Sequence, residues 1–201
     1  MGKVYNEDVV FCYCYVYKIA ERRRTVKVIN FLSAMANYVK IKTKKIERVM
    51  VMSENSKAKA PDVFIIAKAF LTIASMTHKK LQKLCYYAKA WYLALYDENI
   101  IHEEFEAWVH GAVQPQLYQE YKKYGFYDIP KEEKTDGIPE EFLSFAKEVY
   151  EAYGHLSGDE LEAVNHTEDP WQNAREGLKP WEGCNRKISE NDMKEYYRKK
   201  L

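Results

Sequence analysis

Between His78 and Leu95 the chain places Leu81, Leu84, Cys85, Ala88, Tyr92 and Leu95 at intervals of three and four, a spacing that only an α-helix gathers onto one face. Thr77 stands just ahead of this run, where a hydroxyl caps a helix by accepting a bond from a free backbone amide. Asp97-Glu98-Asn99 ends it as a turn. Lys79, Lys80, Lys83 and Lys89 fall mostly on the other faces, which predicts a lysine-rich side turned to solvent.

A stripe of this length needs apolar partners, and the flanking sequence supplies them as further capped helices. Asp62 caps a helix over residues 63–75 that is apolar on most faces and therefore central. Pro115 opens and Gly125 stops a helix over residues 116–124, with Tyr118, Tyr121 and Tyr124 at every third position. Pro139 opens another, striped by Phe142, Phe145, Ala146, Val149, Tyr150 and Tyr153 and closed by Gly154. Ser157 with Glu160 forms a capping-box pair, and Ile188 before Ser189 staples to Met193. Asp169-Pro170 reads as an N-cap carboxylate followed by proline at the first helical position.

Two stretches depart from the helical period. Phe105, Ala107 and Val109 alternate with Glu106, Trp108 and His110, which predicts a short strand, and Asn99–Ile101 is the nearest partner for it. The charged stretch Asp128–Ile138 reads as a loop. The expected fold is mainly α: a single compact helical domain over residues 52–201 with at most a short β element, plus a poorly ordered N-terminal extension. Seventeen tyrosines against eight glycines agree with tight helical packing.

The extension is set apart by charge. Residues 1–51 carry eleven Lys and Arg against four acids, and residues 52–201 carry twenty against twenty-six. Turn and capping signals are sparse before Met52. The Glu47-Arg48 codons can be purine-only, and they lie upstream of Met52 at a distance suited to a ribosome-binding site. Met52 is therefore expected to be the natural start, with residues 1–51 as translated leader; a basic arm or an extra packing helix are the competing readings.

Chemistry is sparsely represented. Cys12, Cys14, Cys85 and Cys184 form no C-x-x-C pair and have no histidines at metal-ligand spacing, so no metal or other cofactor is expected. No apolar stretch reaches the roughly 18 residues that span a bilayer, and a cytoplasmic protein is expected. His102 lies beside Glu103 and Glu104, and His166 near Glu168 and Asp169, but glycine-rich phosphate loops and hydrolase motifs are missing. A hydrolase built on His166 with Glu168 or Asp169 is the weakest reading, and the protein is not expected to be an enzyme. Lys79, Lys80 and Lys83 with Tyr86 and Tyr87 suit nucleic acid only if residues 1–51 are a genuine arm, because the rest is acidic. Protein binding remains. Trp108, His110, Gly111, Val113, Pro115, Tyr118 and Tyr124 cluster around an irregular stretch between two helices, where recognition residues are often mounted.

Leu81-Gln82-Lys83-Leu84, Tyr86-Tyr87-Ala88, Trp91-Tyr92-Leu93, Glu106-Ala107-Trp108, His110-Gly111, Val113, Pro115, Tyr118 and Tyr124-Gly125 follow one another in an order and spacing that resembles the Panacea domain of SocA-like antitoxins. His166, Pro170-Trp171 and Ala174-Arg175 extend the likeness. Family members usually carry proline at the position of Ala112, so a looser loop is expected here; they often have Thr or Ser at that of Asn165, a milder departure because Asn can serve a similar capping role. The resemblance implies a helical antitoxin, associated with phages, that neutralises a cognate toxin by direct protein–protein binding, with Leu81, Gln82, Lys83, Tyr86, Trp91, His166, Pro170 and Trp171 in structural roles. The alternative is a phage-associated interaction protein, or a proteolytic adapter delivering a client to a Clp-type protease.

Overall fold

The computed structural model describes residues 62–201. The basic extension, the proposed start at Met52 and the lead-in Ser53–Pro61 lie outside the described residues.

Helix α1 (Val63–Leu71) starts where expected: the Asp62 side chain accepts from the Phe64 amide at 2.8 Å, and Glu103 accepts from the Val63 amide at 3.1 Å. It ends at Leu71 rather than Ser75. The Thr72 hydroxyl turns back onto the Ala69 carbonyl at 2.8 Å, and the chain then straightens into strand β1 (Met76–Thr77). Helix α2 (His78–Tyr96) follows at once, with Thr77 capping it through the Lys80 amide.

Strands β2 (Glu106–Trp108) and β3 (Gly111–Val113) make an antiparallel hairpin, pairing Glu106 with Val113, Ala107 with Ala112 and Trp108 with Gly111. The strand expected near Phe105 therefore exists, but its partner is β3 and not Asn99–Ile101. Ile100 and Ile101 are buried as core plugs instead. Helix α3 (Pro115–Tyr121) runs into a 3-10 turn (Lys122–Tyr124) stopped by Gly125. The stretch read as pure loop opens with strand β4 (Asp128–Ile129), which pairs antiparallel with β1 because Ile129 has a buried slot opposite Met76.

Helices α4 (Glu140–Tyr153), α5 (Gly158–Asn165), α6 (Asp169–Ala174) and α7 (Glu190–Arg198) complete seven helices among the described residues. Ser157 and Glu160 form the expected capping box, and Ser189 caps α7 through the Asp192 amide. Asp169 is not the cap of α6. Glu168 holds that position, and its carboxylate is turned inward rather than onto the helix amides.

Helix α2 is the axis of the fold, with α1, α3, α4, α5, α7, β1 and β3 packed around it. Every residue from Leu81 to Ala94 is buried, so the single stripe read from the sequence is in fact a full circumference. Aromatic rings fill the layer between α2 and its neighbours. Tyr87 stacks on Tyr153 with centroids 4.2 Å apart, and Trp91 meets Tyr197 edge-on at 4.9 Å. Their polar ends are satisfied internally: Trp91 Nε1 donates to Tyr153 Oη at 2.9 Å and Tyr197 Oη donates to Glu168 Oε1 at 2.9 Å. Each such ring contributes about 2 kcal/mol of burial, and the bonds at its tip remove the desolvation cost of the heteroatom.

Candidate recognition surface

The hairpin hangs on α2 and α5 through buried polar side chains rather than through apolar packing alone. Gly111 lies at φ +89°, and a Cβ there would meet Lys83 Nζ at 2.7 Å and Asn165 Oδ1 at 2.8 Å. Only glycine satisfies both the backbone conformation and the space. Lys83 Nζ donates to the carbonyls of His110 at 2.5 Å and Ala112 at 2.9 Å, and the Asn165 side chain accepts from the Ala112 amide at 2.6 Å. Gln82 behaves like an adjacent strand: its Oε1 accepts from the Gln114 amide at 2.9 Å and its Nε2 donates to the Gln114 carbonyl at 3.1 Å. The Gln114 side chain then caps α3 through the Leu117 amide. The outer edge of β3 is thus closed by three side chains, which stops it from pairing with a foreign strand.

The other side of the hairpin is strapped as firmly. Ala107 donates to the Arg186 carbonyl at 2.9 Å and Glu106 bridges to Lys187. Arg175, only 4% exposed, donates to the carbonyls of Ala107, Lys179, Pro180 and Glu182, and Trp171 Nε1 donates to the Trp108 carbonyl at 3.0 Å. Lys89, fully buried, donates to the Glu103 carbonyl and pairs with Glu190 at 2.6 Å.

Lys83 and Lys89 therefore do not belong to a solvated face, as the helical period had predicted. Their stems run through the core to backbone carbonyls and, for Lys89, a carboxylate. Burial drives the Lys83 ammonium down to about 7, against the pull of Glu162 and with a push from Lys79. Tyr86 and Tyr87 are wholly buried too, which removes the side chains needed to stack bases.

The outward side carries the aromatic residues. Trp108 and Tyr118 are half-buried and meet edge-on at 5.1 Å, and His78 also meets Tyr118 edge-on at 5.8 Å. Tyr121 and Tyr124 continue along the same helix and turn, 6.3 Å apart. The His110 side chain is 76% exposed at the hairpin tip, where its Nδ1 lies 3.1 Å from Glu162 Oε1, and Glu162 also pairs with Lys79. Burial works against the Glu162 charge, yet Lys79 and His110 hold its carboxyl below the usual range.

Of the residues read as partner-binding, His110 is exposed, and Trp108, Pro115, Tyr118 and Tyr124 are partly so. Gly111 and Val113 are buried and shape the hairpin from inside. Leu81, Gln82, Lys83, Tyr86, Trp91, Pro170 and Trp171 are all buried, and His166 is half-buried. His166 stacks on Trp171 at 4.2 Å, and burial lowers its imidazole to about 4. The carboxylate nearest it is Glu162 at 4.0 Å, whereas Glu168 is engaged by Asn165 and Tyr197, so the His166–Glu168 pairing considered from sequence does not assemble. Among the described residues no cluster of His, Cys, Asp and Glu is arranged to hold a metal, and no helix is long and apolar enough to cross a membrane.

Residues 81–172, from the first buried turn of α2 to α6, match the family model described as antitoxin SocA-like, Panacea domain. Over that span the chain is similar to the Panacea domain. No curated protein and no solved structure matches it. The matched span contains the hairpin, the three side chains that close β3 and the whole aromatic strip from Trp108 to Tyr124. Helices α1 and α7 lie outside it, although both pack on α2, the central helix. The expected loosening at Ala112 is offset within the domain. A proline there would have no amide hydrogen, and the Ala112 amide is instead held by Asn165.

Proposed function

We propose that this chain is the antitoxin of a toxin–antitoxin pair and that it neutralises its toxin by direct binding, without catalysis. The observation that carries this reading is the hairpin held by Lys83, Asn165, Gln82 and Arg175, which carries the half-buried Trp108 and the exposed His110, with the half-buried Tyr118 of α3 against Trp108. Pre-organised aromatic surface binds protein at low entropic cost, because little side-chain or loop freedom is lost on association. The inward use of the polar groups supports the absence of catalysis, since Glu168 accepts from Asn165 and Tyr197, His166 stacks on Trp171 and Lys83 donates to backbone carbonyls.

The test is growth of cells expressing an adjacent open reading frame, with and without the full chain. Arrest relieved by the chain, with the two proteins co-purifying, is the expected result. Relief accompanied by loss of the toxin in protease-competent cells, and no relief in protease-deficient ones, would favour the adapter route. No arrest by either neighbour would overturn the antitoxin reading.

A further inference from the structure

The turn between the 3-10 segment and β4 holds two aromatic rings away from the protein. Phe126 is 101% exposed and Tyr127 82%, more than any other large apolar side chain among the described residues. Full burial of such a ring is worth about 2 kcal/mol, so a flexible turn would fold these rings back onto the surface. This turn is fixed. Gly125 sits at φ +55°, ψ −120°, a conformation that L side chains avoid, and an added Cβ would meet nothing within 4 Å. Glycine is needed there for the direction of the backbone and not for space. The Gly125 amide donates to the Lys122 carbonyl at 3.0 Å and the Tyr127 amide to the Tyr124 carbonyl at 3.0 Å. Immediately afterwards, Asp128 and Ile129 are locked against Thr77 and Met76.

We propose that Phe126 and Tyr127 form a second anchor of the toxin-binding surface, an aromatic plug for an apolar pocket on the toxin. The proposal rests on the antitoxin reading, and the two rings follow directly in sequence on the Tyr121–Tyr124 pair. A rigid convex ring pair suits a concave protein pocket, the setting in which aromatic residues dominate binding energy. Charge argues against the other occupants. Glu120, Lys122, Lys123 and Asp128 flank the tip with two charges of each sign, and Lys123 is already paired with Glu120 at 2.7 Å. An anionic bilayer or a nucleic acid gains no net attraction from such a balance. On a second copy of this chain, the open hollow lined by Lys131, Glu132, Glu133, Lys147 and Leu143 is too charged to receive two apolar rings.

The test uses the full chain carrying Phe126→Ser and Tyr127→Ser together, beside Trp108→Ala and the parent. Growth rescue and the Kd for the growth-arresting neighbour product are measured, with thermal unfolding as the control. The expected result is rescue by the parent, a Kd raised about tenfold or more in the double variant, and an unchanged thermal midpoint. A double variant that rescues and binds like the parent overturns the anchor and leaves the antitoxin reading standing. A parent that neither rescues nor binds overturns that reading and removes the toxin as the tip's occupant. Sedimentation with phosphatidylglycerol–phosphatidylethanolamine vesicles that disappears in the double variant would overturn the protein pocket in favour of lipid.

Discussion

The hairpin and the helix after it have an inner and an outer side built on opposite rules. On the inner side, polar groups are buried and each is tied to a backbone carbonyl or amide, as with Lys83, Asn165, Gln82 and Arg175. On the outer side, aromatic rings are half-buried and meet one another edge-on, as with Trp108 and Tyr118. A core with ordinary residue preferences would exchange the two sets. The inversion separates the tasks: directional bonds fix where the backbone lies, and the rings are left free to contact something else. Replacements on the inner side should therefore cost stability, and those on the outer side should cost binding.

The sharpest way to break this comparison is Gly111→Ala. An L side chain at φ +89° costs about 1–3 kcal/mol, and its Cβ would displace Lys83 Nζ and Asn165 Oδ1 together. A loss of about 3 kcal/mol or more is expected in urea unfolding of the full chain. A loss below about 1 kcal/mol would mean that the clamp beneath the hairpin contributes little.

Lys83 gives a smaller, pH-dependent effect. Its native value of about 7 lies below the ordinary 10.5, so between these limits the unfolded chain holds a proton that the native protein has released. Stability contributed by this residue therefore rises with pH across that window, by up to about 1.4 kcal/mol per pH unit, and is level below about pH 7. Stability measured from pH 7 to pH 9 should climb, and Lys83→Met should flatten the climb. An equal slope in the variant would assign the effect to other groups.

Much of the frame was legible because caps and turn residues act locally. Asp62, Thr77, Ser157 and Ser189 each accept the backbone amide that their position predicts. The helical period located α2 and misplaced its lysines, since periodicity separates apolar from polar residues and not buried from exposed ones. Lys83 and Lys89 are buried because the hairpin and the Phe105 segment offer them carbonyls, and those partners lie 14 to 29 residues away. The strand partner of β2 was missed for a related reason. Val109-His110 before Gly111 is a two-residue turn whose shape depends on a positive φ that a sequence does not display. The candidate surface forms a block in the sequence, because Trp108, His110, Pro115 and Tyr118 stand close together. Phe126 and Tyr127 were passed over because a pair of rings after a helix-stopping glycine looks like ordinary core until its exposure is seen.

The smallest stability effect is expected at Trp108, and it decides whether the two sides are truly independent. Trp108 is half-exposed, its Nε1 donates to the neighbouring Glu106 carboxylate at 2.7 Å, and its ring meets that of Tyr118 at 5.1 Å, edge to face. The bond that ties this position to α6 comes from the Trp108 carbonyl, which any residue retains. Trp108→Ala should therefore cost about 1 kcal/mol or less in stability while weakening the toxin complex about tenfold or more. A stability loss as large as that of Gly111→Ala would show that the ring is a core element reaching the surface. The aromatic strip would then be part of the scaffold, and recognition would have to be sought elsewhere on the domain.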